Sequence, residues 1–365
     1  MKIATLTLNG HYNYGNRLQI YALTSYIKRF GTSNNLWWSG NYNLFSKKNF
    51  SLKEKLKFIS NYNNFQKQII FNNKINAIRE FKIKRFSDTK IDIKTVDIND
   101  VHIANQYDYF IVGSDQIWNP LFWCNTKEYE KAMFLKFAPK EKKIAYAASI
   151  GLESLPKHFE KIFTKNIEEI EHISVREIAG AEIIEKLTGR KVPVVIDPTL
   201  LLSTNEWTSI EQKPVWYNNE EYILTYFLGD MPESLVKFSK FNNCRIYNLM
   251  DPDDINLYVS SVEEFLYLVH HAKLFCTDSF HGCVFSIIFK IPFMVVKRKE
   301  KNCPNMMSRL DTLFQIFHLS SQYCDFSLSK FDFEMYLHPD FSNVDSILKN
   351  ERTKSLNFFK NAMNL

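Results

Sequence analysis

Three short stretches of this chain combine side chains that can move protons and hold anions. The run Phe275-Cys276-Thr277-Asp278-Ser279-Phe280-His281-Gly282 passes from a strand-like segment into a polar turn and puts a histidine where a helix begins. An imidazole at the carboxyl end of a strand is placed for acid–base work, and a carboxylate beside it, here Asp278, orients the ring and raises its basicity. Ser279, Asp278 and His281 are also the residue types of a hydrolase triad, but no GxSxG elbow surrounds Ser279. A second run, Gly113-Ser114-Asp115-Gln116-Ile117-Trp118-Asn119, delivers a hydroxyl, a carboxylate, an amide and an indole in quick succession. Asp115 is suited to take a proton from a sugar hydroxyl and Trp118 to lie against a sugar face; the plainer reading is an Asx-turn beside a core tryptophan. The third, residues 9–16, sets Asn13, Gly15 and Asn16 at the mouth of a helix whose free N–H groups can hold an anion. It is not GxGxxG, and asparagines that merely cap the helix are the alternative. Arg176 ends a strand-like run, and Arg309 opens a helix after a basic loop containing Lys297 and Arg298. Each arginine suits bidentate capture of a carboxylate or phosphate, or else a simple pair with Glu177 or Asp311.

Strands must carry these turns. Residues 2–8, 107–112, 143–148, 172–175 and 192–196 read as strands, and 17–27, 158–171 and 178–187 as helices, with Gly31 a stop after the first helix. A second alternating series has strands at 222–228, 244–249, 274–277 and 292–296, with helices from 232, over 262–271 and from 281. Alternation of this kind gives parallel sheets covered on both faces, and such sheets bind ligands beyond the carboxyl ends of their strands. The chain holds 10 glycines in 365 residues, and five of them (Gly10, Gly15, Gly113, Gly151, Gly282) fall at strand-to-helix turns. The expected architecture is α/β, with two Rossmann-like domains facing a cleft. Residues 1–205 form the first and 206–343 the second, with a polar boundary at 203–219 and a helix over 344–365 that packs back on the first domain.

Charge is uneven. Lys and Arg exceed Asp and Glu by 46 − 40 = 6 overall, but residues 46–90 hold 12 basic against 3 acidic side chains, a local +9. A uniformly basic nucleic-acid binder does not fit this distribution, whereas a local electropositive face suited to phosphate-rich partners or an anionic membrane does. The segment reads as two amphipathic helices inserted in the first domain, with a solvated helical hairpin as the bland alternative. The six cysteines show neither CxxC nor zinc spacing, no run approaches 18 apolar residues, and the first residues lack the order of a signal peptide. These features predict a cytoplasmic, reduced protein without a metal site, peripheral to a membrane at most.

Taken in order, Asn13-Tyr14-Gly15-Asn16-Arg17-Leu18-Gln19, the Gly113–Asn119 run, Val175-Arg176-Glu177, Asp197-Pro198-Thr199-Leu200-Leu201, the Thr277–Gly282 run and Ser308-Arg309-Leu310 resemble the polysaccharide pyruvyl transferase family. The resemblance implies a GT-B-like fold, phosphoenolpyruvate as co-substrate with no resident cofactor, and a sugar of a polysaccharide or lipid-linked precursor as acceptor. His281 would then protonate the donor's methylene carbon and Asp115 would handle a sugar hydroxyl. Asn13, Gly15, Asn16, Ser114, Gln116, Trp118, Arg176, Asp278, Ser279, Lys297, Arg298 and Arg309 would line the substrates. Many members carry arginine two places before the motif histidine; this chain has Ser279, so that anion contact falls to Arg309, Lys297 or Arg298. A GT-B glycosyltransferase using a nucleotide sugar, or a non-catalytic glycan-binding protein, is the alternative, because a fold does not fix a function.

Overall fold

The computed structural model describes residues 1–10, 13–38, 62–122, 127–229, 231–241, 244–296, 307–324 and 333–365. The first half runs β1 (Lys2–Leu6), α1 (Tyr14–Ile27), β2 (Thr32–Trp38), α2 (Tyr62–Lys90), β3 (Ile93–Val96), β4 (Tyr109–Val112), α3 (Lys127–Met133), β5 (Lys143–Ala148), α4 (Lys157–Glu168), β6 (His172–Val175) and α5 (Ile178–Thr188). After a linking helix α6 (Thr204–Thr208) come β7 (Tyr222–Tyr226), α7 (Glu233–Phe241), β8 (Arg245–Asn248), α8 (Ile255–Tyr258), α9 (Val262–His270), β9 (Leu274–Thr277) and α10 (Phe280–Phe289). The chain closes with β10 (Phe293–Val296), α11 (Ser308–Phe317), β11 (Tyr323–Cys324) and α12 (Val344–Ala362).

The strands form two sheets, ordered β3-β2-β1-β4-β5-β6 and β11-β10-β9-β7-β8, and the pairings in both are parallel. The first has the doubly wound Rossmann order, whose switch point lies between β1 and β4. Most strands are short runs buried on both faces, such as β5 and β7, as helix-covered parallel strands require.

Three expectations change. The first helix begins at Tyr14, three residues earlier than the apolar spacing places it, because Asn13 accepts the Asn16 amide and caps it. Gly31 is not its stop: the cap is Lys28, and Gly31 packs where a Cβ would lie 2.2 Å from the Met1 carbonyl oxygen. Residues 192–196 give only a single bridge, Val194 to Val175, whereas β2 and β3 are strands that the pattern did not announce. The described part of the basic insertion is one long helix, α2; residues 46–61, the rest of the segment expected to hold two helices, lie outside the described residues.

The two halves are packed tightly. One apolar cluster runs continuously from Ile3, Tyr14 and Leu18 to Phe265, Phe285 and Leu313. Tyr14 stacks on Phe265 with ring centroids 4.6 Å apart and donates its hydroxyl to the Ser260 carbonyl at 2.8 Å. Arg79 of α2 reaches the second sheet's side, donating to the Leu249 carbonyl at 2.9 Å and lying 4.9 Å over the Tyr14 ring. From the chain's end, Phe359 of α12 stacks on Tyr146 at 4.3 Å, and Arg352 donates to the Leu200 and Leu202 carbonyls.

Candidate active site

The chemistry-bearing turns meet where the carboxyl ends of the two sheets face each other. β4 leaves its sheet at Gly113, where φ is +127° and a Cβ would lie 2.1 Å from the Tyr146 carbonyl oxygen, so only glycine passes. Beyond it Ser114 Oγ sits 3.0 Å from both the Ala147 carbonyl oxygen and Asp197 Oδ2. Asp115, at φ +61°, accepts from Asn16 Nδ2 at 3.1 Å, and its other oxygen lies 3.8 Å from Arg176 Nη2.

Arg176 follows β6 and is only 3% exposed. Its Nη1 contacts Asp197 Oδ2, and its guanidinium lies 4.2 Å over the Phe280 ring, which Arg309 also approaches at 5.7 Å. Its Nε and Nη2 make no hydrogen bond among the described residues. Asp197 is fully buried; beyond Arg176 and Ser114 it accepts from the Thr199 amide at 3.0 Å and hydroxyl at 2.6 Å.

His281 enters from the other sheet, in the first turn of α10. Its Nε2 lies 3.7 Å from Asp197 Oδ2, too far for a hydrogen bond, and has no other partner among the described residues. The other edge of the ring presses on α1: a Cβ on Gly15 would fall 2.3 Å from Nδ1. The first domain's opening helix and the second domain's histidine therefore fit only because residue 15 is glycine.

Burial works against ionisation of both aspartates, yet both carboxyls are held below the usual range. For Asp115 the opposing pull comes from Arg176, then His281, Arg309 and the Asn16 hydrogen bond. For Asp197, held far below, it comes from His281, Arg176 and Thr199. Burial pushes the nearby Arg17 guanidinium down to about 9, partly offset by Asp115. Arg17, Arg176 and Arg309 against two aspartates leave a formal 3 − 2 = +1 with the imidazole neutral. A buried N–H without a partner costs about 1–3 kcal/mol, so unpaired donors beside surplus positive charge favour an incoming anion. The arrangement can hold a carboxylate or phosphate and move one proton.

Asn16, Gly15, Ser114, Asp115, Arg176, His281 and Arg309 thus converge. The roles expected of Trp118 and Asp278 do not hold. Trp118 is a core residue, wholly buried, donating to the Met133 carbonyl and stacked on Phe134, with no face left for a sugar. Asp278 accepts the Leu228 and Gly229 amides, and the carboxylate set against the imidazole is Asp197. Ser279 caps α10 by accepting the Gly282 amide, Asn13 caps α1, and Gln116 accepts from Asn119 Nδ2 at 2.7 Å. Arg176 pairs with Asp197 and Asp115 and not with Glu177, which accepts the Ile150 and Gly151 amides. Lys297 and Arg298 lie outside the described residues. Asp197 was legible only as part of an Asp-Pro-Thr motif, and Phe280 only as the neighbour of the histidine. Elsewhere, contrary to the sequence spacing, Glu211, His270 and His271 bring ligand-type atoms within 4.8 Å of one another, with His270 Nδ1 2.9 Å from Glu211.

Two open parallel α/β sheets bring their strand ends to one cluster able to receive an anion, which is where such folds bind ligands. A family model described as polysaccharide pyruvyl transferase matches residues 13–300, and the chain belongs to that enzyme family. No curated protein matches it in sequence. Among solved structures, it is similar to a UDP-GlcNAc 2-epimerase from Neisseria meningitidis, at 12% identity over 97% of this chain and 100% of that one, with a TM-score of 0.44. It is also similar to HepE from Anabaena, at 11% identity over all of both chains and a TM-score of 0.46. MurG from Acinetobacter baumannii shows 10% identity over 97% of this chain and 94% of that one, with a TM-score of 0.38. No shared substrate follows from identities this low. Among the described residues no helix is long and apolar enough to cross a membrane.

Proposed function

We propose that this enzyme transfers the pyruvyl group of phosphoenolpyruvate to two hydroxyls of one sugar, forming a cyclic ketal and releasing phosphate. One observation carries the reading: the buried Nε and Nη2 of Arg176 and Nε2 of His281 make no hydrogen bond among the described residues, and they share a site with surplus positive charge. Phosphoenolpyruvate brings two anionic groups to such a site. Arg176 and Arg309 hold its carboxylate and phosphate, and Arg309, beside Phe280, takes the place of the arginine absent at Ser279. Protonated His281 gives its proton to the methylene carbon, which makes C2 electrophilic. One sugar hydroxyl adds to C2 and yields its proton to Asp115; the second displaces phosphate and closes the ring, giving its proton back to His281 while the Asp115 proton leaves on the phosphate.

The acceptor in this reading is a sugar of a lipid-linked precursor, and the enzyme works at the cytoplasmic membrane face. The basic segment 46–90 supports that placement, since a lipid-linked diphosphate lies at an anionic surface. The test is mass spectrometry of candidate glycans incubated with phosphoenolpyruvate. A gain of pyruvate less water, with one phosphate released per ketal, is expected. Thermal stabilisation by nucleotide sugars alone, with no such gain, would overturn the reading in favour of a glycosyltransferase.

A further inference from the structure

α2 has two working faces. Ile75, Arg79, Ile83 and Phe86 point inward and are buried. Along an adjoining side Phe71, Ile78 and Phe81 are 36%, 46% and 66% exposed, and exposed Lys74 and Arg85 continue the same stripe. The spacing 71, 74, 78, 81, 85 follows one side of a helix, so three large apolar side chains and two cations form one surface. Lys84 flanks it, paired with Asp88. Isolated exposed apolar residues mean little, but a helical row of them edged by cations is the pattern of helices that lie in a bilayer interface. The preceding residues 39–61 add five lysines and one glutamate in sequence, so the charge complement is an anionic surface.

The inner face gives this surface a meaning for the active site. Arg79 donates to second-domain carbonyls at Leu249 and Tyr258, Lys82 pairs with Glu264, and the Tyr258 hydroxyl donates to Asn76. Arg79 also lies over Tyr14, the residue preceding the glycine that packs on His281. We infer that the outer face of α2 (Phe71, Lys74, Ile78, Phe81, Arg85) is the face by which this enzyme docks on an anionic lipid bilayer, with the helix that touches lipid also bridging both domains. This inference rests on the proposed lipid-linked acceptor for its purpose, but its physical content is separate.

The test uses the full chain with vesicles of phosphatidylcholine alone or containing phosphatidylglycerol. Wild type should sediment with the anionic vesicles only, and release on going from about 0.1 M to about 1 M salt, where the screening length falls from about 10 to about 3 Å. A cation near such a surface contributes about a fivefold gain in affinity, so Lys74→Gln, Lys84→Gln and Arg85→Gln together should weaken binding about a hundredfold. Ile78→Ser with Phe81→Ser should weaken it independently. Both variants should keep wild-type transfer to a soluble acceptor. Wild type that ignores anionic vesicles, or variants that sediment equally well, would overturn the docking face while leaving the transfer reaction standing. Self-association abolished by these variants, without vesicle binding, would overturn it in favour of a second copy of the chain. Intact vesicle binding with no ketal formed would count against the reaction alone.

Discussion

Replacing Gly15 with alanine adds one methyl group, and the structure fixes what that methyl meets. Alanine is the better helix former by about 1 kcal/mol, so at a roomy position the change would stabilise α1. Here the new Cβ would fall 2.3, 2.4 and 2.6 Å from Nδ1, Cγ and Cβ of His281. Ordinary contact begins near 3.4 Å, so ring and helix must part by at least 3.4 − 2.3 = 1.1 Å. The imidazole has little room: Asp197 stands 3.7 Å from Nε2 and the Phe280 ring 5.3 Å away between centroids. Overpacking an interior costs about 1–3 kcal/mol, which cancels the propensity gain and leaves a net loss of about 0–2 kcal/mol. In a chain of this size that lowers the melting temperature by about 3 °C at most. The rate suffers more, because misplacing a catalytic group by about 1 Å costs about a hundredfold. Calorimetry and phosphate release from phosphoenolpyruvate, measured with acceptor present, should therefore show a folded protein about a hundredfold slower. Transfer within about threefold of wild type, with the melting temperature unchanged or raised, would refute the close approach of Gly15 to His281.

His281→Gln should remove proton transfer and lower the rate about 10²–10⁴-fold with the fold intact, as read by circular dichroism and phosphate release. Arg176→Lys should raise the apparent KM for phosphoenolpyruvate at least about tenfold, since an ammonium cannot reproduce a planar two-pronged contact; an unchanged KM would remove Arg176 from the donor site. Asp197→Asn should destabilise by about 3–5 kcal/mol in denaturant titration, because it breaks a buried pair with Arg176 and His281. The same residue sets an acid limb. The carboxyls of Asp115 and Asp197 are depressed in the fold, so their contribution is complete above the unfolded carboxylate pKa of about 4. It is lost as pH falls from there toward the folded values. Asp197→Asn should flatten that limb, and a wild-type melting temperature independent of pH below about 4 would contradict it.

Much of the scaffold was legible because strand and helix runs here are strongly patterned. β5, β6 and β9 match their apolar runs residue for residue, since strands buried on both faces need no partner information to be apolar. β2 was illegible for the opposite reason. Its Ser33, Asn34 and Asn35 are residue types depleted in strands, yet Asn35 is buried and hydrogen-bonds Thr5 across the sheet, a partner no local window contains. β3 lies at the sheet's edge, with no residue fully buried, so its apolar signal is weak.

The sequence by itself determined which turns carry polar and titratable side chains: glycines, asparagines, Asp115, Arg176 and His281 all sit where strands end, and local rules suffice to place them there. Only the tertiary structure decided which carboxylate faces the histidine. Asp278 is the near neighbour in sequence, but the turn after β9 commits it to the Leu228 and Gly229 amides, and Asp197 arrives from the other domain. Chain neighbours in a turn point where the backbone sends them, whereas ion pairs across a cleft form between whatever side chains the packing of two sheets brings within a few ångströms. That is why Trp118 became core, Gly15 became a contact surface for His281, and Arg79 of a basic insertion became the bridge between domains.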